Sequence, residues 1–199
     1  GREWYAISNA PLPLVSLNGS VVGYLREASN GSIEFEEAWA TPVPAATCDA
    51  VLGDLETLLA NGIDDVVVFY YLRDWTAGEH LWTPVPARQP DLRARYPSAS
   101  AVSSEPLEQL AATLKGGEPC MLLVLVNASH DELMAYQHVR PNQFVTAPGV
   151  DKAAGAAAAA RLLGLDLAAS VGAGDTVMDA FLAEVGLAVH VGAGTVPYA

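Results

Sequence analysis

The sequence predicts an α/β protein, a core of parallel strands and crossover helices interrupted by an inserted α+β unit. Two observations predict this class. From residue 143 onward, apolar strand-like runs alternate with helix-like segments, which calls for parallel pairing and right-handed crossovers. Before that, a hairpin pattern and separate helices fill the stretch 20–142. The core is therefore assigned to 1–19 and 143–199, and the insert to 20–142. With 199 residues, 51% of them hydrophobic, the chain can bury a sizeable core and is not a disordered polymer.

Residues 1–10 read as the end of a helix, closed by Pro11 and Pro13. Leu14–Leu17 is a short strand stopped by Asn18-Gly19, a strong turn signal. Ser20–Glu27 and Ser32–Trp39 alternate around Asn30-Gly31 as a hairpin. Thr47 is placed to cap a helix over Cys48–Ala60, with Asn61-Gly62 as its stop. Asp65–Leu72 is a β-rich apolar run. The stretch Asp74–Ser100 holds several prolines and reads as irregular, apart from a strand near His80–Thr83. Glu105–Leu114 is a helix followed by Gly116-Gly117, Cys120–Val126 a buried strand and His130–Gln137 a short helix. Gln143–Thr146 is a strand leading into Pro148-Gly149. Lys152–Leu163 is an alanine-rich helix with Gly164 at its C-cap, its small side chains suited to close packing on a sheet. A strand over 170–174, a helix over 176–185 and a strand over 187–191 complete the pattern.

The formal charge is −13, from 10 basic and 23 acidic residues. That argues against nucleic acid or an anionic membrane as the main partner. No apolar run reaches the length of a membrane span. The opening Gly1-Arg-Glu-Trp is neither basic nor followed by a long apolar segment, so no signal peptide is expected there. Gly1 in place of Met predicts a cut or trimmed start. Cys48 and Cys120 lie far apart in apolar contexts and read as reduced core thiols, so a cytoplasmic protein is expected.

The chemistry concentrates near the end of the chain. Asp175 ends a strand, where ligands bind in open α/β sheets. Asp179 follows four residues later and can face the same spot. Alone, Asp179 is equally an ordinary acid in the first turn of a helix. As a pair after Gly172-Ala-Gly174, the two carboxylates suit a hard divalent cation. Lys152 starts a helix, where a cation opposes the helix dipole, so local stability does not explain it. It is either a solvated surface lysine or a group that holds a phosphate and an anionic nucleophile. The scarcity of lysine, with only Lys115 besides, favours the second.

These residues carry a resemblance. Val150-Asp-Lys-Ala-Ala-Gly155, the helix ending Leu163-Gly-Leu-Asp166, Gly174-Asp-Thr-Val-Met-Asp-Ala-Phe181 and Val189-His-Val-Gly192 resemble the last two motifs of the haloacid dehalogenase (HAD) superfamily. The similarity is to its sugar-phosphate and trehalose-phosphate phosphatase branch, whose α/β cap is inserted after the third core strand. Leu14-Val-Ser-Leu-Asn-Gly-Ser-Val22 resembles that branch's entry to the cap. The resemblance implies a partial HAD-like Rossmannoid core with an inserted α+β cap, and Mg²⁺-dependent hydrolysis of a phosphomonoester of a sugar or small metabolite. An aspartate would attack phosphorus and a second would act as acid and base. It further implies Asp175 as a metal ligand, Asp179 as support of the metal shell with a catalytic part, Lys152 as the residue stabilising phosphate and nucleophile, and Asn18 near the cap hinge among the substrate-binding residues.

The sequence departs from the pattern in three places. Met178 stands where the branch usually has Asn or Thr, and Ala153 where a glycine commonly follows the lysine. The nucleophile motif Asp-x-Asp-x-Thr is absent from residues 1–199, while Gly1-Arg2 looks like the tail of the family's second motif, Ser/Thr-Gly-Arg. In the family, two further strands separate the strand at 14–17 from that at 170–174. Three inter-strand steps of about 4.8 Å leave a gap of roughly 14 Å. Such a gap exposes unpaired backbone and apolar faces. The expectation is therefore a complementing N-terminal chain, a strand-exchanged homodimer, or direct pairing of the two halves.

Within the insert, Trp39, Tyr70, Tyr71, Arg73, Trp75, His80 and Trp82 offer aromatic faces and polar tips suited to a sugar, with Arg73 taken as substrate-binding. Tyr70 and Trp39 read better as core. Arg88, Arg93 and Arg95 read as a solvated loop face before a second anion site. His130 and His138 lack metal-ligand spacing, and His190 reads as a strand residue near the surface. Two readings follow: a HAD-type phosphatase that this chain alone cannot complete, or a non-catalytic HAD-derived binding or assembly subunit.

Overall fold

In the computed structural model, residues 11–74, 77–126, 144–176 and 178–192 are described. The chain divides into two units, residues 1–41 with 149–199, and residues 42–148. The boundaries drawn from the sequence fell at 20 and 142. The difference at the first boundary has a simple cause: the first strand of the hairpin placed in the insert pairs with the strand before it.

In the first unit, β1 (Leu12–Ser16) runs antiparallel to β2 (Val21–Glu27), from Leu12 opposite Leu25 to Ser16 opposite Val21. β2 pairs in turn with β3 (Ile33–Ala40). Between β1 and β2 the chain reverses through Leu17, Asn18 and Gly19, all at positive φ (49°, 55° and 96°). Asn and Gly accept this region readily, but a leucine there is uncommon. The turn lies against the start of the alanine-rich helix, α4 here (Lys152–Leu163). A Cβ on Gly19 would come within 2.0 Å of the Asp151 carbonyl oxygen, and one on Gly155 within 2.7 Å of the Gly19 Cα. The small residues of α4 thus serve close approach, as the sequence predicts. Asp151 caps the helix by accepting from the Ala154 amide at 2.8 Å, and Gly164 ends it at φ 65°.

β9 (Val171–Gly174) and β10 (Leu187–His190) form a separate two-stranded parallel sheet. Among the described residues neither strand is hydrogen-bonded to β1. The helix predicted over 176–185 is instead a single 3-10 turn, Ala180–Ala183. The Asp179 carboxylate takes up the amides of Asp175 and Thr176 and so closes a tight turn ahead of it.

The second unit carries a five-stranded sheet in the order β6-β5-β4-β7-β8. Its strands are β4 (Val66–Leu72), β5 (Glu79–Trp82), β6 (Ala101–Ser103), β7 (Pro119–Val126) and β8 (Phe144–Val145). Pairing is antiparallel except between β5 and β6. The two-residue period of β4 sends Val66, Val68 and Tyr70 into a core with Leu55 of α1 (Ala45–Ala60) and Leu110 of α3 (Leu107–Gly117). Val67 and Phe69 pack on the other face with Leu92 of α2 (Gln89–Arg95).

Several elements differ from expectation. α1 starts at Ala45, directly after the extended Pro44, so Thr47 lies inside its first turn. α2 and β6 occupy sequence read as irregular or left unassigned. Pro90 in the first turn, Asp91 beside it and Arg93 and Arg95 at the end are a helix signature that the proline count obscured. Gly116 and Gly117 are the last turn of α3, and Glu118 takes the left-handed position after it, at φ 48°. The helices read at 1–10 and 130–137 lie outside the described residues. No helix among the described residues is long and apolar enough to cross a membrane.

Candidate functional site

The first unit contains a cleft of about 380 Å³. Val15, Leu17, Ala156 and Phe181 supply its apolar lining, and Ser16, Asn18, Lys152 and Asp179 its polar groups. The end of β1 and its left-handed turn deliver Val15, Ser16, Leu17 and Asn18. The start of α4 delivers Lys152, and the turn after β9 delivers Asp179. Asn18 is half-buried, and its side chain makes no hydrogen bond among the described residues.

Asp179 is the hub of the polar side. It is 5% exposed. Its Oδ1 accepts from Lys152 Nζ at 2.7 Å. Its Oδ2 accepts from the amides of Asp175 and Thr176, each at 3.0 Å, and from Thr176 Oγ1 at 3.2 Å. Burial alone would raise its pKa. The Lys152 ammonium and the two amides outweigh burial and hold the carboxyl well below the usual carboxylate range. This pair also explains Lys152, whose charge is unfavourable at a helix start and is offset by a buried carboxylate.

Asp175 is exposed, and its carboxylate has no partner among the described residues. Lys152, Asp179 and Asn18 therefore meet at one cleft, with Asp175 on the adjoining turn. Arg73 belongs to the other unit, where it pairs with Glu118. Tyr70 and Trp82 are core residues, the latter donating Nε1–H to the Glu105 carbonyl at 2.8 Å. Tyr71 donates to Glu79, and burial together with that carboxylate raises its pKa strongly. The His80 ring lies 5.0 Å from that of Tyr70. Trp39 is half-buried and His190 exposed. Arg88 pairs with Asp65, Arg93 bonds the Val102 carbonyl, and Arg95 stacks on Tyr96. Trp75, His130 and His138 lie outside the described residues. The sequence reading missed Ser16, Phe181 and Thr176. Only Thr176, a hydroxyl three residues before an acid, carried a local signal.

A divalent cation needs several oxygen ligands. No group of three or more His, Cys, Asp or Glu side chains is placed for one among the described residues. Both Asp179 oxygens are already engaged, which leaves Asp175 alone. These residues do not by themselves fit a Mg²⁺ site.

No protein-family model matches the chain. No curated protein matches it either. Solved structures do. A HAD subclass IIB sugar phosphatase is 14% identical and matches over 97% of this chain and 69% of that one, with a TM-score of 0.65. A haloacid dehalogenase-like hydrolase from Bacteroides thetaiotaomicron is 14% identical over 94% of this chain and 67% of that one, at 0.60. A haloacid dehalogenase-like hydrolase from B. subtilis is 15% identical over 94% and 71%, at 0.54. Nearly all of this chain therefore follows a backbone path found in those proteins, and its fold is that of the HAD superfamily phosphatases.

Proposed function

We propose that this chain is part of a Mg²⁺-dependent phosphatase that hydrolyses a phosphomonoester of a sugar or other small metabolite. Lys152 at a cleft of a HAD-type fold carries the proposal, with Asp179 behind it and Asp175 beside it. In this reading Lys152 Nζ meets the anionic phosphoryl group and Asn18 offers its unpaired amide to the substrate. The second unit, which carries Arg73, is the cap in this reading. Mg²⁺, when bound, would neutralise charge on the phosphoryl oxygens. Asp175 would be its contribution from this turn, and the remaining ligands and the nucleophilic carboxylate would come from elsewhere. Residues 1–199 lack Asp-x-Asp-x-Thr, so on their own they are expected to be inactive. A strand alongside β9, from a complementing N-terminal polypeptide or a second copy, would complete the core.

The second reading, a non-catalytic binding or assembly subunit, is favoured by one observation. Every exposed large apolar side chain among the described residues falls between Leu162 and Val191. A phosphomonoester panel with Mg²⁺ separates the two. Residues 1–199 alone should show no turnover, and the native protein with its associated polypeptide should show turnover that Lys152→Met removes. Normal turnover by residues 1–199 alone would defeat the incomplete-core proposal. A native assembly inactive on the whole panel would favour the subunit.

A further inference from the structure

The turn between β2 and β3 carries chemistry that the cleft does not use. Asn30-Gly31 lies there, one of three Asn-Gly pairs in the chain with Asn18-Gly19 and Asn61-Gly62. In such a pair the glycine amide nitrogen can approach the side-chain carbonyl carbon of the asparagine, because glycine has no Cβ in the way. The fold sets the three pairs apart. Gly19 is buried against the Asp151 carbonyl, so Asn18-Gly19 is held in place. Asn61 is tied by its amide nitrogen, Nδ2 donating to the Thr57 carbonyl at 2.7 Å, and its Oδ1 has no donor among the described residues.

Asn30 has the opposite arrangement. It is exposed, and its Nδ2 has no partner among the described residues. Its Oδ1 accepts from the Ser32 amide at 2.9 Å and from the Ser32 hydroxyl at 2.7 Å. This Asx turn folds the side chain back over the main chain of Gly31. Both donors point at the oxygen on which negative charge builds when Cγ is attacked, as in sites that stabilise the tetrahedral intermediate of acyl transfer. The Gly31 amide is held by one turn bond, to the Ala28 carbonyl at 2.9 Å. An exposed loop of this kind opens at little cost.

We infer that Asn30 is a self-modifying site, converted to aspartate and isoaspartate, with the Ser32 hydroxyl promoting the step. The Gly31 nitrogen forms a bond to Asn30 Cγ and gives up its proton to water. The Cγ–Nδ2 bond breaks, and Nδ2 leaves as ammonia. Water then opens the resulting succinimide at either carbonyl. One opening leaves an aspartate at 30, and the other routes the main chain through the side chain as isoaspartate. One water is consumed and one ammonia released, with no oxidant or reductant. Either product places a new carboxylate between the exposed Glu27 and Glu34, just beyond the last cross-strand pair, Glu27 with Ile33.

The test incubates residues 1–199 in mildly alkaline buffer, cleaves them with an acid protease, and follows each Asn-Gly peptide by mass and by separation of its isoaspartyl form. In the folded chain Asn30 should convert about tenfold faster than Asn18 or Asn61. In urea the three rates should converge, because the unfolded chain has no turn to distinguish them. Ser32→Ala keeps the backbone donor and removes the hydroxyl, and should slow conversion at Asn30 about fivefold in the folded chain alone. Equal rates at the three pairs in the folded chain would overturn the inference, as would a lead of Asn30 that persists in urea. Unchanged or faster conversion in Ser32→Ala would also overturn it, because the Asx turn would then shield the amide instead of activating it.

Discussion

Asp179 shows how one buried carboxylate sets the chemistry of its surroundings. Its pKa is held below the ordinary carboxylate range, so it remains charged in the folded chain under conditions that protonate it in the unfolded one. The sign follows from linkage: its stabilisation is fully present above the unfolded value of about 3.9 and is lost as pH falls through the lower folded value. The stability difference between wild type and Asp179→Asn, read from urea midpoints, should be flat from neutral pH down to about 5 and shrink below about 4. A difference that grows on acidification would contradict the ion-paired geometry. Gly174 makes a second prediction. Its missing side chain is the space Asp179 occupies, so Gly174→Ala should cost about 1–3 kcal/mol by overpacking, measured by chemical denaturation. The sequence displays these residues but not their contact. Lys152 and Asp179 are 27 positions apart, and no local periodicity encodes which acid a helix-start lysine will meet.

At the scale of elements, legibility followed the strength of local signals. α4 appears at its predicted bounds because an Asx cap, an alanine run and a C-terminal glycine all agree. β4 and β7 are uninterrupted apolar runs and were equally readable. The helix expected over 176–185 is cut down to one 3-10 turn, and the contact that shapes its start, Asp179 drawing in the amides of 175 and 176, is not written in the apolar pattern. α3 was read short because its glycines suggested an end, whereas the left-handed position fell to Glu118. That position yields a stabilising prediction. A non-glycine residue costs roughly 1–2 kcal/mol in the left-handed region. The exposed Arg73–Glu118 pair returns only about 0–1 kcal/mol. Glu118→Gly should therefore raise stability by about 0.5 kcal/mol or more, seen as a higher melting temperature at unchanged helix content. A lower melting temperature would show that the ion pair, or contacts of the glutamate stem, outweigh backbone strain.

For the molecule as a whole, the sequence conveyed the α/β class, and among the described residues the parallel strands of the first unit form a sheet of their own. β9 and β10 stand as a two-stranded parallel sheet, although parallel strands are normally covered on both faces. Val171 is 68% exposed and Leu187 58%, with Val189 and Val191 also exposed. The sequence Val171-Gly-Ala-Gly174 carries none of the charges or prolines that usually guard a free edge. If these side chains are solvent-facing in residues 1–199, replacing them with polar residues removes no native packing. Val171→Thr with Leu187→Lys should then change stability by no more than about 0.5 kcal/mol. The same pair of substitutions should lower the binding of a hydrophobic dye and any concentration-dependent rise in mass seen by light scattering. A loss of several kcal/mol with cooperative unfolding would mean that the two side chains are buried in the protein in solution. The sheet would then already be covered, and neither a complementing strand nor an assembly role would be needed to account for its apolar face.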